Sequence, residues 1–127
     1  MPNALNPTVI VVDDDAFMRR ALRTQLYLAG FDVLVFESAD NLLTSDFPTI
    51  NACLLLDVYM PGMSGVELCR SLAATKRRVP TVLMSAREDH LTRRIMKEAK
   101  PVASLFKPFD EEPLLEAIRK ALRNQAK

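Results

Sequence analysis

The chain has no tryptophan, one histidine, two cysteines and three glycines, and its 17 basic and 16 acidic residues leave a formal net charge of +1. Near-neutrality removes the electrostatic case for direct binding of nucleic acid or a membrane surface by this domain. Cys53 lies in an apolar run and Cys69 in the amphipathic stretch that follows. Neither has a C-x-x-C spacing or a neighbouring histidine, so core thiols are expected in place of a disulfide or a zinc site. No apolar run approaches the roughly 18 residues of a membrane span. The opening M-P-N-A-L-N-P has neither the charged nor the apolar region of a secretory signal, so a cytoplasmic location is expected. Internal repeats and low-complexity tracts are missing as well. What is present, 127 residues that are 49% hydrophobic and 26% charged, suits one globular domain with a sizeable core.

The organising stretch is Asn51 to Gly65, N-A-C-L-L-L-D-V-Y-M-P-G-M-S-G, in which an apolar run ends in a single carboxylate. Ala52 to Leu56 is too short for a buried helix and reads as a strand covered on both faces, with Asp57 at its carboxyl end. Met60, Pro61 and Gly62 leave in a turn. Ser64 offers an oxygen to cap a helix that begins near Gly65 and runs through Leu68 and Leu72. Taken alone, an aspartate at a strand end is an ordinary turn residue; its role depends on what else reaches the same place.

The rest of the chain repeats this strand-then-helix pattern. Thr8 to Val12 is a β-branched run ending in Asp13, Asp14 and Asp15, followed by a helix to about Ala29, with Met18, Leu22 and Leu26 on one face and Gly30 as its stop. Phe31 to Phe36 is a second strand, placed at or near an edge, and Ser38 caps a short helix through Asn41, Leu42 and Leu43. The third helix ends in the basic patch Lys76, Arg77 and Arg78. Pro80 to Met84 is the fourth strand, ending at Ser85. Glu88 to about Glu98 is the fourth helix, with Leu91, Ile95 and Met96 expected inward and Arg93, Arg94 and Lys97 outward. Val102 to Phe106 is the fifth strand, ending at Lys107, and Asp110 caps a last helix carrying Leu114, Leu115, Ile118 and Leu122 on one face. Residues 1–7 are expected to be a flexible segment, and the polar 124–127 either a terminus or the start of a linker.

Five strands alternating with five helices over short connections imply a single doubly wound α/β domain with a parallel sheet. In such sheets the reactive crevice lies outside the carboxyl ends of the strands, where the strand order reverses. Asp13 and Asp14, Asp57, Ser85 and Lys107 end strands one, three, four and five, so all five polar groups converge on one rim. Neighbouring carboxylates repel each other and favour a hard divalent cation, for which Mg²⁺ is suited because it accepts a few carboxylate oxygens and keeps its waters. With the metal and Lys107 offsetting charge on the transferring oxygens, and the Ser85 hydroxyl donating to one of them, Asp57 can act as a nucleophile toward phosphorus and form an acyl phosphate. There is no G-x-x-x-x-G-K-[ST] cradle for a nucleotide, so the phosphoryl donor must come from elsewhere.

V-V-D-D-D at Val11 to Asp15, L-L-L-D-V-Y-M-P-G-M-S-G-V-E-L at Leu54 to Leu68, V-L-M-S-A at Val82 to Ala86 and L-F-K-P-F at Leu105 to Phe109 resemble, in order and spacing, the receiver domains of two-component response regulators. The resemblance covers nearly the whole chain. It implies the flavodoxin-like strand order 2-1-3-4-5, for which a chemotaxis receiver is a known example. It further implies Asp57 as phosphoryl acceptor, Asp14 as a direct Mg²⁺ ligand, Asp13 as a ligand through water and the Tyr59 backbone carbonyl as another ligand. Ser85 would be the switch hydroxyl, Lys107 the phosphate partner, and the Lys107–Pro108 bond cis. A histidine kinase or phosphotransfer protein is the implied donor, and a helix-turn-helix DNA-binding domain, which nothing in these residues resembles, the frequent output.

Two departures stand out. Relatives usually carry an aromatic residue three places before the lysine, whose ring turns inward with the hydroxyl; that place is Ser104, and Phe106 beside the lysine reads first as core. Lys100 and Pro101 stand where an A-G-A type turn is usual. Two other classes use similar residues. A haloacid-dehalogenase-like hydrolase needs D-x-D-x-[TV], whereas Asp15 is followed by Ala16 and Phe17; a receiver-like scaffold usually lacks an acid or the lysine, and none is missing. A stand-alone receiver is a further alternative. The basic Arg93, Arg94 and Lys97 and the acidic Asp110, Glu111 and Glu112 together give a face suited to a phosphorylation-dependent homodimer.

Overall fold

The fold is seen in a computed structural model that describes residues 6–125. Ten elements alternate: β1 (Thr8–Val12), α1 (Ala16–Leu28), β2 (Asp32–Phe36), α2 (Ala39–Leu43), β3 (Ala52–Asp57), α3 (Gly65–Ala74), β4 (Thr81–Ser85), α4 (His90–Glu98), β5 (Ala103–Phe106) and α5 (Glu111–Gln125). The five strands form one sheet in the order β2-β1-β3-β4-β5, every pair parallel. The doubly wound architecture expected from the sequence and the strand order that the resemblance implied are therefore both present.

Strand alternation divides the core into two layers. Ile10, Val12, Leu54, Leu56 and Leu83 face the side covered by α2, α3 and α4, where they meet Leu42, Leu68, Leu72 and Met96. Val9, Val11, Cys53, Leu55, Val82 and Met84 face the other side and meet Leu22 and Leu26 of α1 and Leu114, Ile118 and Ala121 of α5. β3 is buried along its whole length because it lies between β1 and β4 and beneath helices on both faces. This is the physical reason for its unbroken apolar sequence, since each fully buried aliphatic side chain contributes about 1.5–3 kcal/mol. Cys53 belongs to this core, and burial pushes its thiol up to about 12; Cys69 is half-buried, and both are free.

Several boundaries differ from the sequence reading. The fourth helix starts at His90, not Glu88, because the Asp89 side chain accepts the Thr92 N–H and fixes the N-cap there. This phase turns Thr92 and Met96 inward, while Leu91, expected inward, is 57% exposed. Ile95 is half-buried. α5 runs through residues 124 and 125, so the polar stretch from 124 begins as helix; residues 126–127 lie outside the described residues. Of the 1–7 segment, 1–5 lie outside them too, but Pro7 is tied in, its carbonyl accepting the Asp32 N–H at 3.0 Å. Lys100 ends α4 at φ 53, a left-handed position like those glycine usually fills. Phe106 is only half-buried, because β5 is an edge strand.

Candidate functional site

Parallel register sets the site. Val12 pairs with Leu56, so the next residues, Asp13 and Asp57, leave adjacent strands at the same level. Asp57 pairs with Met84, which brings Ser85 one residue beyond it, and Ser85 pairs with Phe106, which brings up Lys107. The Lys107 N–H donates to the Ser85 carbonyl at 2.8 Å, and the Lys107–Pro108 bond is cis, as the resemblance implied. Lys107 Nζ then reaches across the sheet to donate to Asp13 Oδ2 at 2.8 Å and Asp57 Oδ2 at 3.2 Å.

The carboxylates are held from several sides. Asp13 Oδ1 accepts the Asp15 N–H at 2.9 Å, and Arg19 donates to the Asp13 carbonyl at 2.8 Å. Asp57 Oδ1 accepts the Tyr59 N–H at 3.2 Å. Asp15, given no role from the sequence, is the N-cap of α1, accepting from Phe17 and Met18. On the other side of Asp57, Ser64 caps α3 as expected, and Glu67 completes a capping box by accepting the Ser64 N–H. The S-x-x-E spacing is the signal that could have revealed it.

Asp13 is fully buried and Asp57 is 7% exposed, whereas Asp14 faces solvent. One ligand oxygen from each of the three lies within 4.8 Å of the others. Burial raises the Asp57 carboxyl to about 6; the Lys107 ammonium opposes this shift and the Asp13 charge adds to it. Burial works against the Lys107 ammonium, but its hydrogen bond to Asp13 and the two carboxylate charges outweigh that and raise its pKa. A buried acidic pair with one cation and a third acid on the open side has a donor set that fits a hard divalent ion.

The raised Asp57 pKa has a consequence for metal-free protein. Its folded value exceeds the unfolded value of about 3.9, so the folded chain binds more protons between roughly pH 4 and pH 6, and stability falls as pH rises through that window. Asp57→Asn lifts this cost. In urea titrations with chelator at pH 7 the variant is expected to be more stable than wild type by about 1–3 kcal/mol, the gap closing toward pH 4. A variant less stable at pH 7 would mean that the lost Lys107 pair outweighs burial.

Ser85 is fully buried, and its Oγ accepts the Arg87 N–H at 2.9 Å. Of the residues singled out from the sequence, Asp13, Asp14, Asp57 and Lys107 are thus brought together directly, and Ser85 is brought alongside on β4. Ser104 stands exposed on the edge strand with no ring near the rim from that position. One group was missed: the Tyr59 phenol lies 2.6 Å from the hydroxyl of buried Thr92, and Arg87 covers the Tyr59 ring at 4.6 Å. A pair separated by 33 positions leaves no periodic trace in the sequence.

This fold agrees with that of known proteins. The family model for the response regulator receiver domain matches residues 9–119. Nodulation protein W of Bradyrhizobium diazoefficiens is 37% identical over 120 residues, covering 94% of this chain and 52% of the relative. The transcriptional regulatory protein FixJ of Rhizobium meliloti is 34% identical over 114 residues, covering 90% and 56%. Among solved structures, response regulator StyR superposes with a TM-score of 0.85 at 44% identity, covering 95% of this chain and 61% of the other. The crystal structure of FixJ-N superposes with a TM-score of 0.84 at 32% identity, covering 97% and 96%. The chain belongs to the response regulator receiver domain family, a family of signalling domains. It spans about half the length of the two relatives named.

Proposed function

We propose that Asp57 accepts a phosphoryl group from a phosphorylated histidine of a kinase or phosphotransfer protein, with Mg²⁺ held by Asp13, Asp14, Asp57 and the Tyr59 backbone carbonyl. The observation that carries this reading is Lys107 Nζ between Asp13 and Asp57 at a rim where three carboxylates lie within 4.8 Å. An Asp57 oxygen forms a bond to phosphorus as the donor's phosphorus–nitrogen bond breaks, and the donor nitrogen leaves with that electron pair. Lys107 offsets charge on the phosphoryl oxygens, and the Ser85 hydroxyl donates to one of them. Mg²⁺, when bound, supplies further positive charge and keeps Asp57 ionised. Phe17, 79% exposed in the first turn of α1 two residues beyond the Asp15 cap, gives a phosphodonor protein an apolar contact at the capped end of the helix.

Incubation with a small phosphodonor and Mg²⁺, followed by intact-protein mass spectrometry, tests the reading: a receiver gains one stable phosphoryl group, a hydrolase turns the donor over, and a scaffold stays unmodified. Asp14→Ala is expected to weaken Mg²⁺ binding at least tenfold, about 1.4 kcal/mol or more, as read from Tyr59 fluorescence. Equal titration curves would remove Asp14 from the metal site. No helix among the described residues is long and apolar enough to cross a membrane; the location proposed is cytoplasmic.

Output is proposed through the face formed by α4, β5 and α5, to a DNA-binding domain outside these residues, since FixJ is a transcriptional regulatory protein. Arg93, Arg94 and Lys97 and the acidic Asp110, Glu111 and Glu112 are all exposed, so a two-fold axis would set opposite charges together. Exposed pairs are worth only about 0.2–1 kcal/mol each and choose register without driving association. Arg93 is already engaged, pairing with Glu88 at 3.1 Å and covering the Phe106 ring at 4.6 Å, so Lys97→Glu is the cleaner probe. Sedimentation with beryllofluoride and Mg²⁺ is expected to show a wild-type dimer that Lys97→Glu weakens. A monomer throughout would refute the dimer, and an unaffected dimer would place the interface elsewhere.

A further inference from the structure

Thr92 is a fully buried hydroxyl on the inward face of α4. Its Oγ1 lies 2.6 Å from the Tyr59 phenol oxygen and 2.9 Å from Asp89 Oδ1, so one oxygen joins the loop after Asp57 to the N-cap of α4. Asp89 Oδ1 also accepts the Thr92 N–H at 2.8 Å, and its Oδ2 accepts Arg87 Nε at 2.8 Å. The Arg87 guanidinium covers the Tyr59 ring at 4.6 Å, which closes a circuit of four side chains. The circuit meets the rim through backbone N–H groups, that of Tyr59 donating to Asp57 Oδ1 at 3.2 Å. The Arg87 N–H donates to Ser85 Oγ at 2.9 Å, the hydroxyl at the end of β4 beside Asp57.

Ser85 Oγ is held by Arg87 in this state, so a shift of that hydroxyl toward a phosphoryl group on Asp57 either draws the Arg87 backbone along or gives up the bond. The first displaces Arg87 and the second removes an anchor of its backbone, and its guanidinium is the piece that spans Tyr59 and Asp89. At β5, by contrast, position 104 is an exposed serine, and the nearby Phe106 ring is covered by Arg93. No ring at 104 can follow the hydroxyl inward. Resting on the receiver reading, we propose that Tyr59, Thr92, Asp89 and Arg87 form a latch holding the first turn of α4 against the phosphoacceptor loop in the unphosphorylated state. Release of this latch, in place of a turning ring, carries the signal from Asp57 to α4. Thr92 is then a positioning residue: it touches no phosphoryl group, yet it biases the state that the phosphoryl group must displace.

Thr92→Val keeps the side-chain shape and removes the hydroxyl; Tyr59→Phe keeps the ring under Arg87 and the backbone carbonyl while removing the phenol oxygen. The readouts are beryllofluoride affinity at saturating Mg²⁺, by fluorine NMR, and amide hydrogen exchange across residues 90–98. In wild type, beryllofluoride is expected to speed exchange in the first turn of α4. Both variants are expected to show that faster exchange without ligand, and to bind beryllofluoride about two- to tenfold more tightly, because a latch that stabilises the unliganded state opposes binding by the same factor. Looser α4 with unchanged or weaker affinity would assign Thr92 a structural role alone and overturn the latch. Wild-type exchange and affinity in both variants would also overturn it. Failure of wild type to bind beryllofluoride would instead overturn the phosphoacceptor reading, and the latch with it.

Discussion

Asp57→Asn is expected to abolish the phosphoryl adduct while leaving the fold in place. The amide nearly matches the carboxylate in shape, and its oxygen can still accept from the Tyr59 N–H or from Lys107, though its nitrogen can serve neither donor, and it is a poor nucleophile toward phosphorus. Two alternative sites make this a sharp test. Asp13 is fully buried and already accepts from Asp15 and Lys107, so it is badly placed to receive a bulky group; Asp14 is exposed and, if modified adventitiously, should react slowly and without saturation. After treatment with a small phosphodonor and Mg²⁺, intact-mass spectra are expected to show one adduct in wild type and none in the variant. An adduct of equal yield in the variant would move the acceptor to a neighbouring acid. The companion stability measurement separates chemistry from folding: a variant that is unreactive yet more stable at pH 7 in chelator has lost a nucleophile, not a fold.

The strands were legible because each apolar run ends in a charge or hydroxyl. Val12 gives way to Asp13, Leu56 to Asp57, Met84 to Ser85 and Phe106 to Lys107, and parallel register turns those four endings into one rim. The inward face of α4 was not legible. Reading the helix from Glu88 directed Leu91 inward, and an apolar residue is the natural choice for a core position. The Asp89 cap shifts the start and gives that position to Thr92, whose burial is tolerated only because Tyr59 and Asp89 satisfy its hydroxyl. Nor could the sequence place Lys107 between two particular carboxylates, since that depends on the crossing of three strands. The Asp57 shift is of the same kind, set by burial and by a lysine 50 residues away.

Gly65→Ala is expected to damage both stability and phosphoryl acceptance, for a reason that lies in the backbone. A Cβ at Gly65 would stand 2.5 Å from the Asp57 carbonyl oxygen and 3.1 Å from the Val58 Cα, and neither belongs to a flexible side chain that could yield. The Gly65 N–H also donates to the Val58 carbonyl at 3.0 Å, so the first turn of α3 is tied to the end of β3 where the clash falls. Either α3 moves away from the sheet or the strand end carrying Asp57 is pushed aside. Overpacking of this kind costs about 1–3 kcal/mol and sometimes more. A displacement near 1 Å at a reacting group can cost about a hundredfold in rate. Gly62→Ala supplies the contrast: its φ of 79 strains any other residue, but a Cβ there meets nothing within 4 Å. It is expected to lose about 1 kcal/mol of stability and keep its phosphorylation rate within a few-fold of wild type. Urea titration together with the rate of adduct formation distinguishes the two. If Gly65→Ala accepted phosphoryl groups as fast as Gly62→Ala, the close approach of α3 to β3 would have no part in holding Asp57.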